Sequence, residues 1–325
     1  MTASSLTCAV VVITYQRPDT FPNCLQALAK QERQPDEIVV VARDTDAPTQ
    51  ELLRAWLATD PARHRMAVVS KPGQLVAMEA GVLASKTAIV AFTDDDAQPR
   101  PDWLKRMLAH YTDATVGGVG GRDLLWREGT FLDGRTRRVG YITWYGRVTG
   151  DSHLDYPGPQ QVVTMKGVNM SFRREFIEFD HNLLGTPTIW PSDTSITLNA
   201  VRRGARLISD AQILVDHYEY TRKVGDERKT VHPDAYMKKS HNITYLVLKH
   251  LPWYCWPAFI VYTLFIGQQN TPGIFYDLLH RQSPRWTILG AALRGKWLGF
   301  TTYQRWRTQL RQPVKPAGAS VSSRL

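Results

Sequence analysis

Residues 89–104 read IVAFTDDDAQPRPDWL. An apolar run from Ile89 to Phe92 stops at three consecutive carboxylates, Asp94, Asp95 and Asp96, before Pro99 and Pro101 break the chain and a new apolar period opens at Trp103 and Leu104. A short, continuously apolar run is the signature of a strand covered on both faces. The carboxylates therefore stand at the mouth of a buried strand. A single aspartate there would cap the next helix or solvate a turn. Three in a row cannot all cap, and clustered negative charge is unfavourable unless a cation neutralises it. Hard oxygen ligands of this kind suit Mg²⁺ or Mn²⁺, which take one or two carboxylates and fill their remaining positions with water and phosphate.

Working outward, residues 7–13, 37–42, 66–70, 87–93 and 115–120 carry the same strand signature. Between them Phe21, Cys24, Leu25 and Leu28, then Leu52, Leu53, Trp56 and Leu57, then residues 74–84, then Trp103 to Tyr111 show helical spacing. Strand and helix alternate, which predicts an α/β fold with a mostly parallel, Rossmann-like sheet and flanking helices. Ligands of such sheets sit beyond the carboxyl ends of the strands. The segments found there are TYQRP, RDTD, SKPG and TDDD, all polar and all converging on one edge. Residues 122–165 read as irregular, a helix is expected over 193–203, and two short strands, 205–209 and 212–216, end at Asp216–His217.

Charge divides the chain unevenly. The net charge is +10, yet residues 238–325 hold twelve Lys/Arg and one acid, Asp277, so the basicity belongs to the last quarter. Three scattered cysteines with no CxxC argue against a disulfide framework or a zinc site and fit a reducing compartment. Ala9 to Ile13 is too short for the core of a signal peptide, and no basic segment precedes it.

Taken in order, TYQRP, EIVVV, the AGV helix, VAFTDDDAQPRPDWL, GVNMSFRRE, PSDTSITLNAVRRGARLISDA and the closing VDH resemble the inverting family 2 glycosyltransferases of GT-A fold that build bacterial polysaccharides and cell walls. The resemblance runs from about residue 8 to 217 and implies an enzyme that moves a sugar from a nucleoside-diphosphate sugar to a hydroxyl of a glycan or lipid-linked acceptor. It implies that Thr14, Tyr15 and Arg17 line the nucleotide cleft. Asp94 and Asp95 would contact the nucleotide sugar. Asp96 and His217 would hold the metal, and Asp193 would act as general base. It also implies halves at 1–121 for the donor and 122–237 for the acceptor. The sequence departs from the family where two acids usually follow the second strand: it has Ala42–Arg43, with Asp44 one step later, so Arg43 and Asp44 are the candidates for contacting the nucleotide. Ser192 and Ser195 stand where carboxylates flank the base, and Met78–Glu79 where Arg-Asn is common. Rival readings are a polyprenyl-phosphate sugar synthase, whose phosphate acceptor needs little help from a base, and a nucleotide-sugar-binding protein that no longer catalyses. A sugar-nucleotide pyrophosphorylase fits poorly, because TYQRP lacks the glycine-rich basic loop.

The tail, 238–311, is basic and aromatic. Leu251 to Tyr276 carries no charge, but Pro252, Pro257 and Pro272 punctuate it and Gln268–Asn270 end the apolar run. Trp286, Leu289, Leu293, Trp297 and Phe300 follow at helical spacing, accompanied by Arg285, Arg294, Lys296, Arg305 and Arg307. Aromatics mixed with Arg and Lys predict an interfacial or re-entrant association with an anionic membrane surface, on the cytoplasmic face of the cell membrane. A true span and a soluble helical cap or oligomer face are the alternatives. Nucleic acid is not expected, because the charges accompany long apolar runs. Residues 312–325 are expected to be disordered.

Overall fold

The computed structural model describes residues 6–185, 190–219, 232–280 and 285–311; the expected disordered tail, 312–325, lies outside the described residues. Strands β1 (Cys8–Ile13), β2 (Glu37–Arg43), β3 (His64–Val69) and β4 (Ile89–Asp94) alternate with helices α1 (Phe21–Ala29), α2 (Ala47–Leu57) and α3 (Gln74–Leu83). A three-residue strand, β5 (Ala97–Pro99), and helix α4 (Trp103–Ala109) follow the aspartates. Next come β6 (Val116–Arg127), β7 (Pro159–Val162), β8 (Met170–Arg173), α5 (Ser192–Arg202) and β9 (Arg206–Glu219). The tail supplies α6 (Pro233–His250), α7 (Trp256–Val261), α8 (Ile274–His280) and α9 (Arg285–Arg311).

One sheet organises the chain, in the order β7-β9-β6-β8-β4-β1-β2-β3. β1 pairs in parallel with both β2 and β4, and β2 with β3. β8 runs antiparallel between β4 and β6, and β6 pairs in parallel with β9. Alternate residues of β1 feed two cores: Val11 joins Val39, Val90 and the α3 side chains Leu75 and Met78, whereas Val10 and Val12 join Phe21, Leu28, Trp103 and Leu104. Each fully buried Leu or Phe in these layers contributes about 1.5–3 kcal/mol. The three cysteines are free and buried.

Two expectations need correction. The strand expected to end at 120 continues to Arg127, so the 122–165 stretch opens with ordered sheet. The two short strands at 205–209 and 212–216 are one strand, β9, with a register break between Asp210 and Leu214. The break carries the Ile213 carbonyl over Gly121, where a Cβ would lie 2.1 Å from its oxygen. Glycine is required there by close approach, not by a turn. Asn169, at the start of β8, pins this junction, donating to the carbonyls of Arg122 and Ile213 and accepting from Trp103 Nε1.

The described part of the tail is built from two long helices, α6 and α9, with short elements between them. Residues 251–276 form a turn at Trp253–Cys255, helix α7, one wide π-turn at Tyr262–Ile266 and a small hairpin. No helix of the described residues is long and apolar enough to cross a membrane. α9 packs along α6, with His241 Nε2 against Thr302 Oγ1 and the Lys249 ammonium over the Trp306 ring. Its expected stripe divides: Leu289 is buried, while Trp286 and Trp297 are exposed. Lys296, expected among the surface charges, is buried and donates to the Pro272 carbonyl at 2.5 Å.

Candidate active site

The strand ends meet in a cleft of about 280 Å³. Thr14, Tyr15 and Arg17 follow β1, Arg43 ends β2, and Asp94, Asp95 and Asp96 close β4; all of them line it, with Lys166, Asp193 and His217 from the second half. Asp44 does not. It lies beside the cleft, with Arg43 Nε 3.6 Å from its Oδ1. Arg43 sits over the Tyr15 ring, 5.7 Å from its centroid.

The first cation on the aspartates is the protein's own. Arg17 Nη1 lies 2.5 Å from Asp95 Oδ1 and 2.6 Å from Asp96 Oδ2, with 4% of its side chain exposed. Its charge is committed to the triplet rather than offered to the cleft. Burial and the neighbouring Asp96 still push Asp95 up to about 7 against the pull of Arg17. Asp94 is likewise raised, first by burial and then by Asp96.

His217 reaches the triplet because β5, immediately after Asp96, pairs antiparallel with β9, setting His217 opposite Ala97. The Tyr218 N–H donates to the Asp96 carbonyl at 3.0 Å. His217 Nε2 faces Asp96 Oδ1 and its Nδ1 faces Asp123 Oδ2, each at 3.5 Å. Burial alone would lower its pKa, but the two carboxylates raise it to about 9. Asp123 is fully buried on β6 and takes Lys166 Nζ as a second partner. Burial would raise its pKa, yet Lys166 and His217 hold it well below the usual carboxylate range. Asp123 and Lys166 were missed from the sequence. Lys166 immediately precedes the GVNMSF block, which was a signal; Asp123 lay in the stretch misread as irregular.

Asp94, Asp96 and His217 each offer one donor atom, all within 4.8 Å of one another. Two carboxylate oxygens and an imidazole suit a small divalent cation, and the imidazole would release its proton on binding. Asp123 then sets the ring orientation from the opposite nitrogen. The residues fit the metal that the resemblance implies.

Asp193 opens α5. Its Oδ1 accepts from the Thr194 N–H at 2.8 Å and its Oδ2 from the Gly167 N–H at 3.3 Å, while burial raises its pKa. It is a carboxylate held at a helix N-terminus, where negative charge is favoured. With Lys166 it forms the partition between the cleft and a second cavity of about 260 Å³. Ser192 instead donates to Gln74 Oε1 at 3.1 Å, Ser195 is buried, and Glu79 lies 3.4 Å from His181.

The family model for glycosyl transferase family 2 matches residues 9–178, just over half of the chain. The chain belongs to glycosyl transferase family 2. That match spans β1 to β8 and includes the aspartate triplet and Lys166. Glycosyltransferase AglE of Haloferax volcanii is 26% identical over 123 residues, 37% of this chain and 40% of that protein. Among solved structures, S. aureus TarS 1–349 in complex with UDP-GlcNAc superposes with a TM-score of 0.59 at 14% identity, over 94% of this chain and 92% of that one. GalNAc-T7 with UDP, GalNAc and Mn²⁺ gives 0.59 at 16%, over 74% and 47%. The chain thus spans less than half of AglE and of GalNAc-T7 but nearly all of the TarS fragment. These likenesses bear out the expected GT-A fold of this family 2 chain.

Proposed function

We propose that this chain is an inverting, divalent-cation-dependent glycosyltransferase that moves a sugar from a nucleoside-diphosphate sugar to a hydroxyl of a glycan or lipid-linked acceptor. The observation that carries the reading is Asp193, a carboxylate on the wall between a cleft floored by Asp94–Asp96 and a separate cavity. A donor in the first and an acceptor in the second would meet across it. Asp94, Asp96 and His217 would hold the Mg²⁺ or Mn²⁺, which when bound supplies positive charge for the departing diphosphate.

The remaining chemistry falls to the chain's own groups. Asp193 takes the proton of the acceptor hydroxyl as its oxygen attacks the anomeric carbon opposite the leaving group, so configuration inverts in one displacement. The Gly167 and Thr194 amides fix the carboxylate, and its raised pKa makes it a stronger base than a surface aspartate. Thr14, Tyr15 and Arg43 line the nucleotide side, and Arg17 keeps the triplet compact. Exposed Trp253, Tyr254, Phe265 and Trp286 support docking of the basic tail on an anionic membrane, at the cytoplasmic leaflet. The donor half would be 1–121 and the acceptor half 122–237, although β6 runs unbroken through their junction.

Calorimetric titration with UDP, GDP and dTDP, with and without Mn²⁺, tests the reading. One nucleotide should bind only with metal, and Asp96→Ala should lose that binding. Binding indifferent to both metal and Asp96 would remove the triplet from the donor site. A second reading, a nucleotide-sugar-binding protein without turnover, is favoured by Ser192 and Ser195 standing where acids are usual; turnover with any donor excludes it.

A further inference from the structure

Three cavities lie in series. The cleft and the acceptor cavity share Asp193 and Lys166. The acceptor cavity's other wall includes Val148 and Gly150, in and beside a hairpin in which Tyr141–Ile142 pairs with Val148–Thr149. The tip of that hairpin, Trp144, Tyr145 and Arg147, lines a third cavity of about 760 Å³, closed on the far side by residues 257–268 and Tyr276. The hairpin is fitted to this neighbour. Gly146 has φ +83°, a Cβ on it would lie 2.3 Å from the Phe259 ring, and the Tyr145 and Tyr262 rings are 4.9 Å apart.

The lining is apolar apart from Gln268, and Arg147 is its one charged side chain. Among the described residues no carboxylate lies within ion-pair distance of Arg147. Val261 and Ile266 of the lining are exposed, as are Ile260, Phe265 and Phe275 beside lining residues in the chain. A large apolar cavity with a single unpaired cation matches an amphiphile with a long hydrocarbon chain and one anionic group. We propose that this cavity seats the hydrocarbon chain of a lipid-linked acceptor, with its phosphate on Arg147. The inference rests on the reading of Asp193 as the base that receives an acceptor hydroxyl. The strand from Arg147 to Gly150 advances about 10 Å at about 3.3 Å per residue. The phosphate is thus set about 10 Å, roughly two sugar units, along the strand from Gly150 at the cavity that Asp193 borders.

The test uses the full chain and farnesyl phosphate below its micelle concentration, with farnesol and inorganic phosphate as separate probes. Wild type should bind farnesyl phosphate. Ala258→Trp, which fills the cavity, should weaken it at least about tenfold. Arg147→Gln should weaken farnesyl phosphate about tenfold or more while changing farnesol less than about twofold. Circular dichroism checks both folds, and the arginine variant carries the test alone if the tryptophan variant does not fold. Equal binding in Ala258→Trp overturns the proposal. So does association with phosphatidylglycerol vesicles while farnesyl phosphate is ignored, which assigns the surface to the bilayer. Dimerisation that shields the cavity in sedimentation equilibrium overturns it in favour of a second copy. A parallel UDP and Mn²⁺ titration of wild type separates the two levels. Nucleotide bound with farnesyl phosphate ignored refutes this inference alone; no nucleotide bound refutes the reading beneath it.

Discussion

Replacing Arg17 by Met keeps much of the side chain's apolar length and deletes its charge. In the wild type the guanidinium lies 2.5 and 2.6 Å from Asp95 and Asp96, in a pocket that leaves 4% of it exposed. Removing one partner of a buried ion pair costs about 3–5 kcal/mol, because the carboxylates left behind lose their counter-charge. For 325 residues the unfolding entropy near Tm is about 0.7 kcal/mol/K, so the loss corresponds to a fall in Tm of about 4–7 °C in EDTA. A divalent cation that binds only the folded state adds about 2.7 kcal/mol at a hundredfold excess over its Kd. Mn²⁺ should therefore stabilise the variant more than it stabilises wild type, since it replaces a missing charge. The sign of the pH effect follows from Asp95. Its folded pKa, already about 7, lies above the ordinary 3.8, and losing Arg17 raises it further. A carboxyl raised on folding stabilises when protonated, so the variant should regain stability as pH falls from about 7 toward 4. Differential scanning calorimetry with EDTA, with Mn²⁺ and across that pH range measures all three effects. A variant that melts within about 1 °C of wild type in EDTA would show that the triplet does not depend on Arg17 for neutralisation.

Asp193→Asn should lower kcat by about 10²–10⁴-fold with little change in nucleotide affinity, and wild-type kcat/KM should fall at low pH through a pKa above 3.8; unchanged turnover would favour a phosphate acceptor. Lys249→Met strands Asp180, whose Oδ2 it meets at 2.6 Å with both side chains 2% exposed, and should cost about 3–5 kcal/mol in urea unfolding. Burial would raise the Asp180 pKa, but Lys249 holds it below 3.8. The stability that the wild-type pair supplies is full above pH 3.8 and lost as pH falls further, while the stranded Asp180 of the variant, its pKa raised by burial, begins to close the gap at higher pH. Gly121→Ala should destabilise by about 1–3 kcal/mol, because the obstacle at 2.1 Å is the Ile213 backbone oxygen; a neutral result in urea would mean that β9 can shift its register break.

The first 120 residues were legible because their pattern is local. Each of their strands is an apolar run and each helix an apolar stripe, so β1, buried along nearly its whole length, is legible from its own residues. What escaped the sequence is long-range. Arg17 meets Asp95 across 78 residues, so the sequence placed it at the cleft but could not show its pairing with the triplet. The strand read over 115–120 stopped one residue short of Gly121, which is demanded by a carbonyl from β9. The same error hid Asp123, two residues further along β6. The tail's composition was read correctly as apolar and basic, but composition does not say which face of a helix packs, and Lys296 went inward.

Three adjacent carboxylates at a strand mouth posed an electrostatic problem, and the fold answers it twice. On one side Arg17, from the turn after β1, bridges Asp95 and Asp96. On the other, His217 spans Asp96 and Asp123, and Lys166 balances Asp123. The two answers differ in kind. Arg17 is enclosed and cannot be deprotonated at working pH, so its charge is permanent. His217 lines the same cleft, but an imidazole can give up its proton, so its charge is removable. A bound cation can take the place of that proton without dismantling the Arg17 side. The short pairing of β5 with β9 makes this possible, because it hydrogen-bonds the chain just after the triplet to the long strand that carries His217. The charge of the triplet and the stability of the sheet are therefore coupled at the stretch 94–99, and a change there should alter both together.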